Sequence, residues 1–288
     1  MNDGGSGPLV IGGVGGSGTR VVAEMARRLG VWTGPDLNGS VDTLWATLLL
    51  RRPTWYAAQS ASGGEGFATA FGILEDALNG RLVLTPGTRR FLELAGEEQV
   101  RDGRSPGWVA DRLASLAGEG TAGTAPGRWG WKAPVSHVYL APLHRHFGRR
   151  LRYVHVIRNG PDMAFSDNQW QVRTWGPLYG LDPDGPVTPA TSLDFWIRAN
   201  RRAVDYGATE LGDAFLRLDF DALCADPAAG VARLVGFLGL EPSPGVLDEL
   251  LALPRRPHST GRGRRAGGGV FTTAQLAAVA DLGFPVDR

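Results

Sequence analysis

Cysteine is nearly absent from this sequence: Cys224 is the single one in 288 residues. One cysteine excludes an internal disulfide and any metal cluster held by several cysteine side chains. Long apolar runs are absent too, and without a stretch of about 18 apolar residues no membrane-spanning helix is predicted. The first residues lack the basic and apolar regions of a secretory signal. We therefore expect a cytoplasmic protein with no membrane partner.

The chain also has little net charge and few lysine residues. The 30 lysine and arginine side chains nearly balance the 29 aspartate and glutamate side chains, which leaves a net charge of +1. So balanced a chain lacks the basic excess of general nucleic-acid binders. Lys132 is the only lysine. Because lysine and arginine differ in hydration and geometry, a single lysine among arginines indicates a specific role, with chance as the alternative.

The chain length is near the upper limit for one hydrophobic core, so we predict a single domain over residues 1–288. Apolar residues at helical spacing predict a helical insertion at about 51–127, and arginine and glycine enrichment predicts a basic loop at about 255–269.

A loop rich in aromatic residues is predicted at 170–189, and Thr272 and Gln275 have the spacing of a capping box. Elsewhere predicted strands alternate with predicted helices, which include helices from about Ser136 and from Ser192, one with Asp162 in its first turn, and one that Gly239 ends. This alternation is typical of an α/β fold whose mostly parallel sheet is flanked by helices, with ligands at the carboxyl ends of the strands.

A glycine-rich loop follows the first predicted strand, Leu9–Ile11, and leads into a predicted helix that Gly30 ends. Backbone N–H groups at the start of such a helix are unpaired and favour a phosphate or sulfate. The glycine spacing is that of a magnesium-nucleotide P-loop. However, Thr19 replaces the P-loop lysine and Arg20 replaces its hydroxyl residue, so a magnesium-nucleotide site is disfavoured.

The same loop matches the dinucleotide fingerprint G-x-G-x-x-G at Gly13, Gly15 and Gly18. That fingerprint also requires a second strand that ends in an acidic residue about 20 positions on, and residues 31–35 make a poor strand. An NAD(P)-dependent oxidoreductase is therefore an alternative function that this loop alone supports.

Several stretches resemble the PAPS-dependent sulfotransferase family, in the order in which that family has them. Arg158–Ser166 is similar to its 3′-phosphate motif, in which an arginine ends a strand and a serine follows eight positions later on the next helix. Gly15–Thr19 resembles the 5′-phosphosulfate loop, and Trp131–Pro134 resembles the element whose lysine lies near the transferring sulfonate. Leu218–Pro227 resembles the late strand and the run after it, and Ser259–Gly269 resembles the basic loop that closes over the 3′-phosphate.

The resemblance implies a P-loop sulfotransferase-like α/β fold. It also implies metal-independent transfer of a sulfonate from PAPS to a hydroxyl or amine of a small-molecule or glycan acceptor. One position departs from the family, because many members have lysine or arginine directly before Ser-Gly-Thr, where this chain has Gly16. We expect Lys132 to supply the missing positive charge. A protein that binds PAP without catalysis is a further alternative, and the oligomeric state is not predicted.

The resemblance also assigns roles to individual residues. Donor binding falls to the glycine loop, the 3′-phosphate motif and the closing loop: Gly15, Gly16, Ser17, Gly18, Thr19, Arg20, Arg158, Ser166, Arg262, Arg264 and Arg265. With Lys132 as the catalytic cation, the candidates for the base are Asp36 first, then Asp42, then His137. The acceptor is expected to meet a polar and aromatic set: Asn38, Trp170, Trp175, Tyr179 and Phe195.

Each of these roles has a structural alternative. Aspartates that precede a helix often cap it or form a turn, which applies to Asp36 and Asp42. The arginines of the predicted loop can be solvated charges, and each aromatic residue is at least as suited to core packing as to an acceptor pocket. His155 lies in the middle of a predicted strand, where a structural role is expected.

Overall fold

The computed structural model describes residues 7–123, 127–266 and 269–286. It is mostly helical and has a sheet of five parallel strands, which confirms the predicted α/β fold class. The strands are β1 (Pro8–Gly12), β2 (Val31–Trp32), β3 (Arg128–Lys132), β4 (Arg152–Ile157) and β5 (Phe215–Asp219).

The helices are labelled in chain order, and short 3₁₀ segments join several of them. They are α1 (Thr19–Arg28), α2 (Leu44–Leu50), α3 (Pro53–Ala61), α4 (Glu65–Leu78), α5 (Pro86–Arg101), α6 (Pro106–Gly118), α7 (Leu140–Phe147), α8 (Gly160–Ala164), α9 (Trp170–Trp175), α10 (Pro189–Tyr206), α11 (Phe220–Ala225), α12 (Pro227–Leu238), α13 (Pro244–Ala252), α14 (Arg262–Arg265) and α15 (Thr273–Asp281). Among the described residues, no helix has the length and apolar character needed to cross a membrane.

The strand order of the sheet is β2-β3-β1-β4-β5. The third strand therefore separates the first two, whereas in the dinucleotide-binding fold the first two strands are neighbours. Parallel pairing places Ile11 of β1 opposite Lys132 of β3. Because the chain continues from Ile11 into Gly12 and the glycine loop, Lys132 lies at the edge of the sheet where β1 ends.

The first strand and helix form as the local sequence predicts. All five residues of β1 are buried. On α1, Val22, Met25 and Ala26 have no exposed surface, so one face of the helix is packed in the core. Gly30 follows the helix with a φ of +83°, a conformation that glycine adopts without the strain that a Cβ would cause.

The described chain forms two compact units. The first contains the residues up to Ile11 and Ala26–Tyr153, and the second contains Gly12–Met25 and the residues from Val154 onward. Helices dominate the first unit between Pro53 and Gly118. The single domain over residues 1–288 stays a prediction.

Aromatic side chains fill the core of the first unit. The ring of Tyr139 lies 4.9 Å from that of Tyr56, 5.7 Å from Phe67 and 6.3 Å from Phe71, measured between ring centroids. The Tyr139 hydroxyl donates a hydrogen bond of 2.7 Å to the carbonyl of Leu50. The edge-to-face contacts bury ring surface and tie α2, α3 and α4 to the segment before α7.

Helix ends in the second unit follow recognisable capping patterns. A capping box between Thr188 and Thr191 starts α10, so the helix predicted from Ser192 begins slightly earlier, at Pro189. Gly239 ends α12 with a φ of +60°, as predicted. The capping box predicted at residues 272–275 is present at the start of α15.

Three segments differ from the sequence prediction. Residues 31–35 lack a good strand pattern, but Val31–Trp32 forms β2 because β3 supplies parallel backbone partners. The helix predicted from Ser136 starts as a 3₁₀ turn, Pro134–His137, and becomes α-helical at Leu140. The aromatic loop predicted at 170–189 contains α9. The first difference shows that tertiary pairing outweighs weak local propensity.

His155 lies in the middle of β4 and is fully buried. Its Nε2 atom is 2.9 Å from Oδ1 of Asn200, and its ring stacks on Phe215 at 6.1 Å between centroids. Burial lowers the pKa of His155 to about 4, although the hydrogen bond with Asn200 opposes that shift. The structure therefore holds a neutral imidazole in the core at neutral pH.

We expect His155 to reduce the free energy of unfolding by about 3 kcal/mol as the pH falls from 6.5 towards 4. In that window the unfolded chain binds a proton that the folded chain does not, so acid favours unfolding. Above pH 6.5 the contribution is fully present. Denaturant titrations of the wild type and His155→Gln at several pH values measure it, because the variant loses this part of the pH dependence. Identical pH dependence in the two proteins would contradict the expectation.

Candidate active site

The glycine loop that follows β1 has a backbone only glycine can adopt at several positions. Gly13, Gly16 and Gly18 have φ values of +151°, +92° and +95°. A Cβ on Gly13 would lie 2.3 Å from the carbonyl oxygen of Val156, and one on Gly18 would lie 2.3 Å from the ring of Phe220. Side chains are excluded at these points by packing as well as by conformation.

The loop also has polar groups suited to an anion. The Ser17 side chain is 1% exposed, and its Oγ has no hydrogen-bond partner in the part of the chain that the structure describes. The backbone N–H of Gly15 donates a hydrogen bond of 3.0 Å to Oε1 of Gln171, a residue of α9. An N–H group that donates to an amide oxygen is equally able to donate to a phosphate oxygen. Sequence reasoning missed Gln171, because its partner lies 156 positions away.

Other predicted donor residues of this loop differ in exposure. Thr19 is 4% exposed and begins α1, whereas Arg20 is exposed. Gly16, which directly precedes Ser17, is exposed, and a Cβ there would meet only the Met163 side chain, at 3.8 Å. The loop therefore has room at Gly16, and its φ rather than crowding favours glycine.

Arg158 follows β4 directly and connects two segments of the second unit. Its side chain is 8% exposed, its Nη2 donates a 2.8 Å hydrogen bond to Oγ of Ser259, and its Nη1 lies 3.5 Å from the carbonyl oxygen of Gly16. Asp221 forms an ion pair with it at 3.8 Å and accepts the N–H of Asn159 at 2.7 Å. Burial raises the pKa of the Asp221 carboxyl, while the Asn159 N–H and Arg158 oppose this shift.

Ser166 lies beyond the helix on which it was expected. The helix α8 ends at Ala164, and Ser166 follows in a loop, where its Oγ accepts a 3.3 Å hydrogen bond from the N–H of Asn168. The short α8 starts with Asn159 as its N-cap and ends before Ser166 because the chain turns at Phe165. The predicted helical position of Ser166 is therefore wrong, and its role in donor binding stays a prediction.

Ser259–Arg265, which we call the closing segment, packs on α8. Asp162 of α8 accepts N–H groups of the segment on both carboxylate oxygens, from Gly261 at 2.7 Å and from Gly263 at 2.9 Å. Arg262 donates to the carbonyl of Phe165 at 2.6 Å. The sequence placed Asp162 in the first turn of a helix and within the 3′-phosphate motif, and neither pattern indicated this anchoring contact.

The remaining arginines of the closing segment are more exposed than Arg262. Arg264 and Arg265 are exposed, and Arg265 donates to the carbonyl of Thr260 at 3.1 Å. Part of the predicted basic loop, Gly267 and Gly268, lies outside the described residues.

In the first unit, the lysine is buried and held by a tight turn. Lys132 is 2% exposed, and its Nζ donates to the carbonyl of Ser40 at 3.0 Å and to Oδ1 of Asp42 at 2.5 Å. The backbone N–H of Thr43 donates to the carbonyl of Lys132 at 2.8 Å, which ties the turn to β3. The structure thus brings together Lys132 and Asp42, two of the predicted catalytic residues.

The turn that holds Lys132 is organised by Asn38. Its Oδ1 accepts the N–H groups of Ser40 and Asp42, both at 2.9 Å, and its Nδ2 donates to Oδ2 of Asp42 at 2.8 Å. Val41 lies inside this turn with a φ of +60°, which is unfavourable for a β-branched residue. Such backbone strain is kept only where surrounding contacts enforce it, and it is frequent beside functional groups.

The other two base candidates have different surroundings. Oδ2 of Asp36 forms an ion pair of 2.6 Å with Arg112, and its side chain is 11% exposed. Burial raises the pKa of Asp36, and Arg112 opposes this shift. His137 is 2% exposed and ends the 3₁₀ turn after β3. The structure places both in the first unit, and the side chain of Asp36 pairs with Arg112 rather than with Lys132.

Most of the predicted acceptor-binding aromatics belong to the core of the second unit. Trp175 and Phe195 are 0% exposed, and Tyr179 is 8% exposed. The rings of Tyr179 and Phe195 meet edge to face at 5.3 Å. Trp170 is partly exposed. Core packing accounts for the first three, and an acceptor role for the set stays a prediction.

Within residues 7–123, 127–266 and 269–286, no group of three or more histidine, cysteine, aspartate or glutamate side chains is arranged to hold a metal ion.

The sequence matches the profile of a known family. Residues 8–244 match a family described as "Sulfotransferase family". This range contains β1 to β5, the glycine loop, Lys132 and Arg158. A search of curated protein sequences gave no significant match.

Three solved structures have a similar fold. The sulfotransferase domain of the Synechococcus PCC 7002 olefin synthase aligns over 99% of this chain and 97% of its own, with a TM-score of 0.51 and 16% identity. The sulfotransferase domain from the curacin biosynthetic pathway aligns over 98% and 99%, with a TM-score of 0.50 and 12% identity. Sulfotransferase STF9 from Mycobacterium avium aligns over 97% and 77%, with a TM-score of 0.50 and 14% identity.

Proposed function

Because this chain belongs to the sulfotransferase family, we propose that it transfers a sulfonate group from PAPS to a hydroxyl or amine of a small-molecule or glycan acceptor. The observation that carries the proposal is the position of Arg158, which reaches the glycine loop at Gly16 and the closing segment at Ser259. A donor with one phosphate on the 5′ side of its ribose and another on the 3′ side needs one group of residues to bind each phosphate. PAPS is such a donor.

The glycine loop fits the 5′-phosphosulfate end of this donor. It combines a backbone that excludes side chains at Gly13 and Gly18 with the buried hydroxyl of Ser17, which has no hydrogen-bond partner among the described residues. A glycine loop before a helix of this kind presents N–H groups to an anion. The N–H of Gly15 is one such donor, with the Gln171 amide oxygen as its partner.

The 3′-phosphate end is proposed to bind Arg158, with help from Ser166 and the closing segment. The planar guanidinium of arginine matches phosphate oxygens in pairs, which gives orientation as well as charge. Arg158 is nearly buried, so its position is defined by its neighbours before a ligand arrives. This preorganisation lowers the entropy cost of binding.

When bound, PAPS supplies an activated sulfonate: the acceptor atom bonds to sulfur, the bond from sulfur to the 5′-phosphate oxygen breaks, and the electron pair stays on that oxygen to give PAP. We propose Lys132 as the cation that stabilises this developing negative charge. The residue directly before Ser17 is Gly16, which has no positively charged side chain to do so. The contacts of Lys132 with Ser40 and Asp42 hold the ammonium in one place. Fixed charges of this kind stabilise transition states because they need no reorganisation during the reaction.

Asp42 is proposed to take the acceptor proton. It contacts Lys132, and its side chain is 21% exposed, compared with 11% for Asp36. Asp36 is committed to Arg112, and His137 is more deeply buried. Resemblance placed Asp36 first, and the contacts of the structure support Asp42 instead.

Asp42→Asn should lower kcat by about 100-fold or more, because a positioned base typically contributes a factor of about 10²–10⁴. The loss should be accompanied by a changed pH profile of kcat and by an unchanged affinity for PAP. Asp36→Asn tests the other assignment under identical conditions. If Asp36→Asn loses turnover and Asp42→Asn keeps it, Asp36 is the base.

The proposed function itself is tested by ligand-induced thermal stabilisation and product analysis. PAP at 100 times its Kd should raise the melting midpoint by about 5–10 °C. Incubation with PAPS and a panel of phenols, sugars and amines should release PAP and yield a sulfated product by mass spectrometry. Stabilisation by NADH but not PAP would favour the oxidoreductase alternative, and PAP binding without turnover would favour a non-catalytic protein.

A further inference from the structure

We propose that Asp162 is a positioning residue that holds the closing segment in place for the 3′-phosphate of the donor. The inference rests on the proposed function, because the closing segment serves donor binding only if the ligand has that phosphate. Asp162 does not contact the donor in this proposal. It acts through the segment, whose residues Ser259 and Arg262 face Arg158 and Phe165.

The anchoring contact is unusually complete. Both carboxylate oxygens of Asp162 accept backbone N–H groups, from Gly261 and from Gly263, which lie 99 and 101 positions further along the chain. Asp162 is 5% exposed. Hydrogen bonds from N–H groups to a buried carboxylate are charge-assisted and stronger than those between neutral groups. One side chain therefore sets the path of this segment at two points.

The backbone of the segment is shaped for this contact. Gly261 has a φ of +79°, a conformation that favours glycine. A Cβ on Gly263 would lie 2.7 Å from Cβ of Pro161 and 2.9 Å from its carbonyl carbon. Both glycines are thus needed at the positions that present their N–H groups to Asp162.

The anchor leads directly to the proposed 3′-phosphate site. Ser259 begins the closing segment and accepts the hydrogen bond from Nη2 of Arg158. Arg262 lies between the two anchored glycines and bonds to the carbonyl of Phe165, next to Ser166. If the hydrogen bonds from Gly261 and Gly263 to Asp162 were lost, the whole segment would move. Ser259 would then leave Arg158, and Arg262 would leave Phe165. The affinity for the 3′-phosphate should then fall, while affinity for the rest of the nucleotide is kept.

Hydrogen exchange measures the anchor without any ligand. In Asp162→Asn one acceptor oxygen is replaced by an NH₂ group that cannot accept an N–H. Amides in peptides that cover residues 257–266 should then exchange about tenfold faster or more than in the wild type. Asp167→Asn changes an exposed carboxylate close by and is the matched control. Gly263→Ala provides a second variant, because its Cβ would push the segment away from Pro161.

Calorimetry with PAP and AMP then measures the role in binding, since AMP lacks the 3′-phosphate. Asp162→Asn and Gly263→Ala should bind PAP about 10- to 100-fold more weakly and AMP within about twofold of the wild type, in line with the loss of hydrogen bonds to a charged group. The proposed role of Asp162 is wrong if the exchange rates of the segment do not change in the variants. It is also wrong if the ratio of the PAP and AMP affinities stays as in the wild type. If the wild type itself fails to bind PAP, the proposed function fails, and the role of Asp162 with it.

Discussion

Lys132→Ala should reduce the kcat for sulfonate transfer by about 100- to 1,000-fold, the effect of removing one positioned donor from a developing negative charge. The effect should be large because Gly16, directly before Ser17, carries no charge, which leaves Lys132 as the proposed catalytic cation. The affinity for PAP should change far less than kcat. Rates of PAP formation from PAPS and calorimetric titration with PAP separate the two quantities.

Removal of Lys132 also leaves Asp42 in a mostly buried place without its cation, which can cost about 3–5 kcal/mol of stability. The double variant with Lys132→Met and Asp42→Asn removes both charges and serves as the folding control. It should melt closer to the wild type than Lys132→Ala does and should still be stabilised by PAP. Turnover within about threefold of wild type in either variant would exclude Lys132 as the catalytic cation.

Arg158→Ala should weaken PAP binding by at least about 100-fold, because several charge-assisted hydrogen bonds to one phosphate are lost together. Its affinity for AMP should fall much less, since AMP has no 3′-phosphate. Arg158→Lys keeps the charge but not the paired N–H groups, and its affinity for PAP should lie between those of the wild type and the alanine variant. Isothermal titration with the two nucleotides makes the comparison.

Arg145→Ala is the matched control for this prediction. Arg145 lies on α7 and is exposed, so its removal changes the net charge equally and leaves the proposed donor site intact. If Arg158→Ala and Arg145→Ala bind PAP alike, the assignment of the 3′-phosphate to Arg158 is wrong.

Most of the framework of the candidate site could be predicted from the sequence. The apolar run of β1, the glycine loop and the helix after it are local patterns, and all three appear where the sequence predicts them. Arg158 also lies directly after β4, as the alternation before it indicates. Such features depend on residues a few positions apart, so periodicity and turn chemistry are sufficient to place them.

Pairs of distant residues could not be predicted. Gln171 contacts Gly15, and Asp162 binds Gly261 and Gly263, yet Gln171 carries no recognisable pattern and Asp162 is also a common residue for the first turn of a helix. For the aromatic residues, the sequence pattern was consistent with two different roles. Trp175 suited both a pocket and a core, and only its full burial distinguishes the two.

By itself, the sequence determined the fold class, the strand ends and the residue types available for an anion. Strand and helix periods are local, and glycine is restricted to backbone shapes that few other residues adopt. Tertiary structure alone decided that β2 pairs with β3, that Lys132 meets Asp42, and that Asp162 holds the closing segment. Each of these contacts joins segments that are distant along the chain, and their pairing depends on how the elements pack and on strand order, which no local pattern encodes.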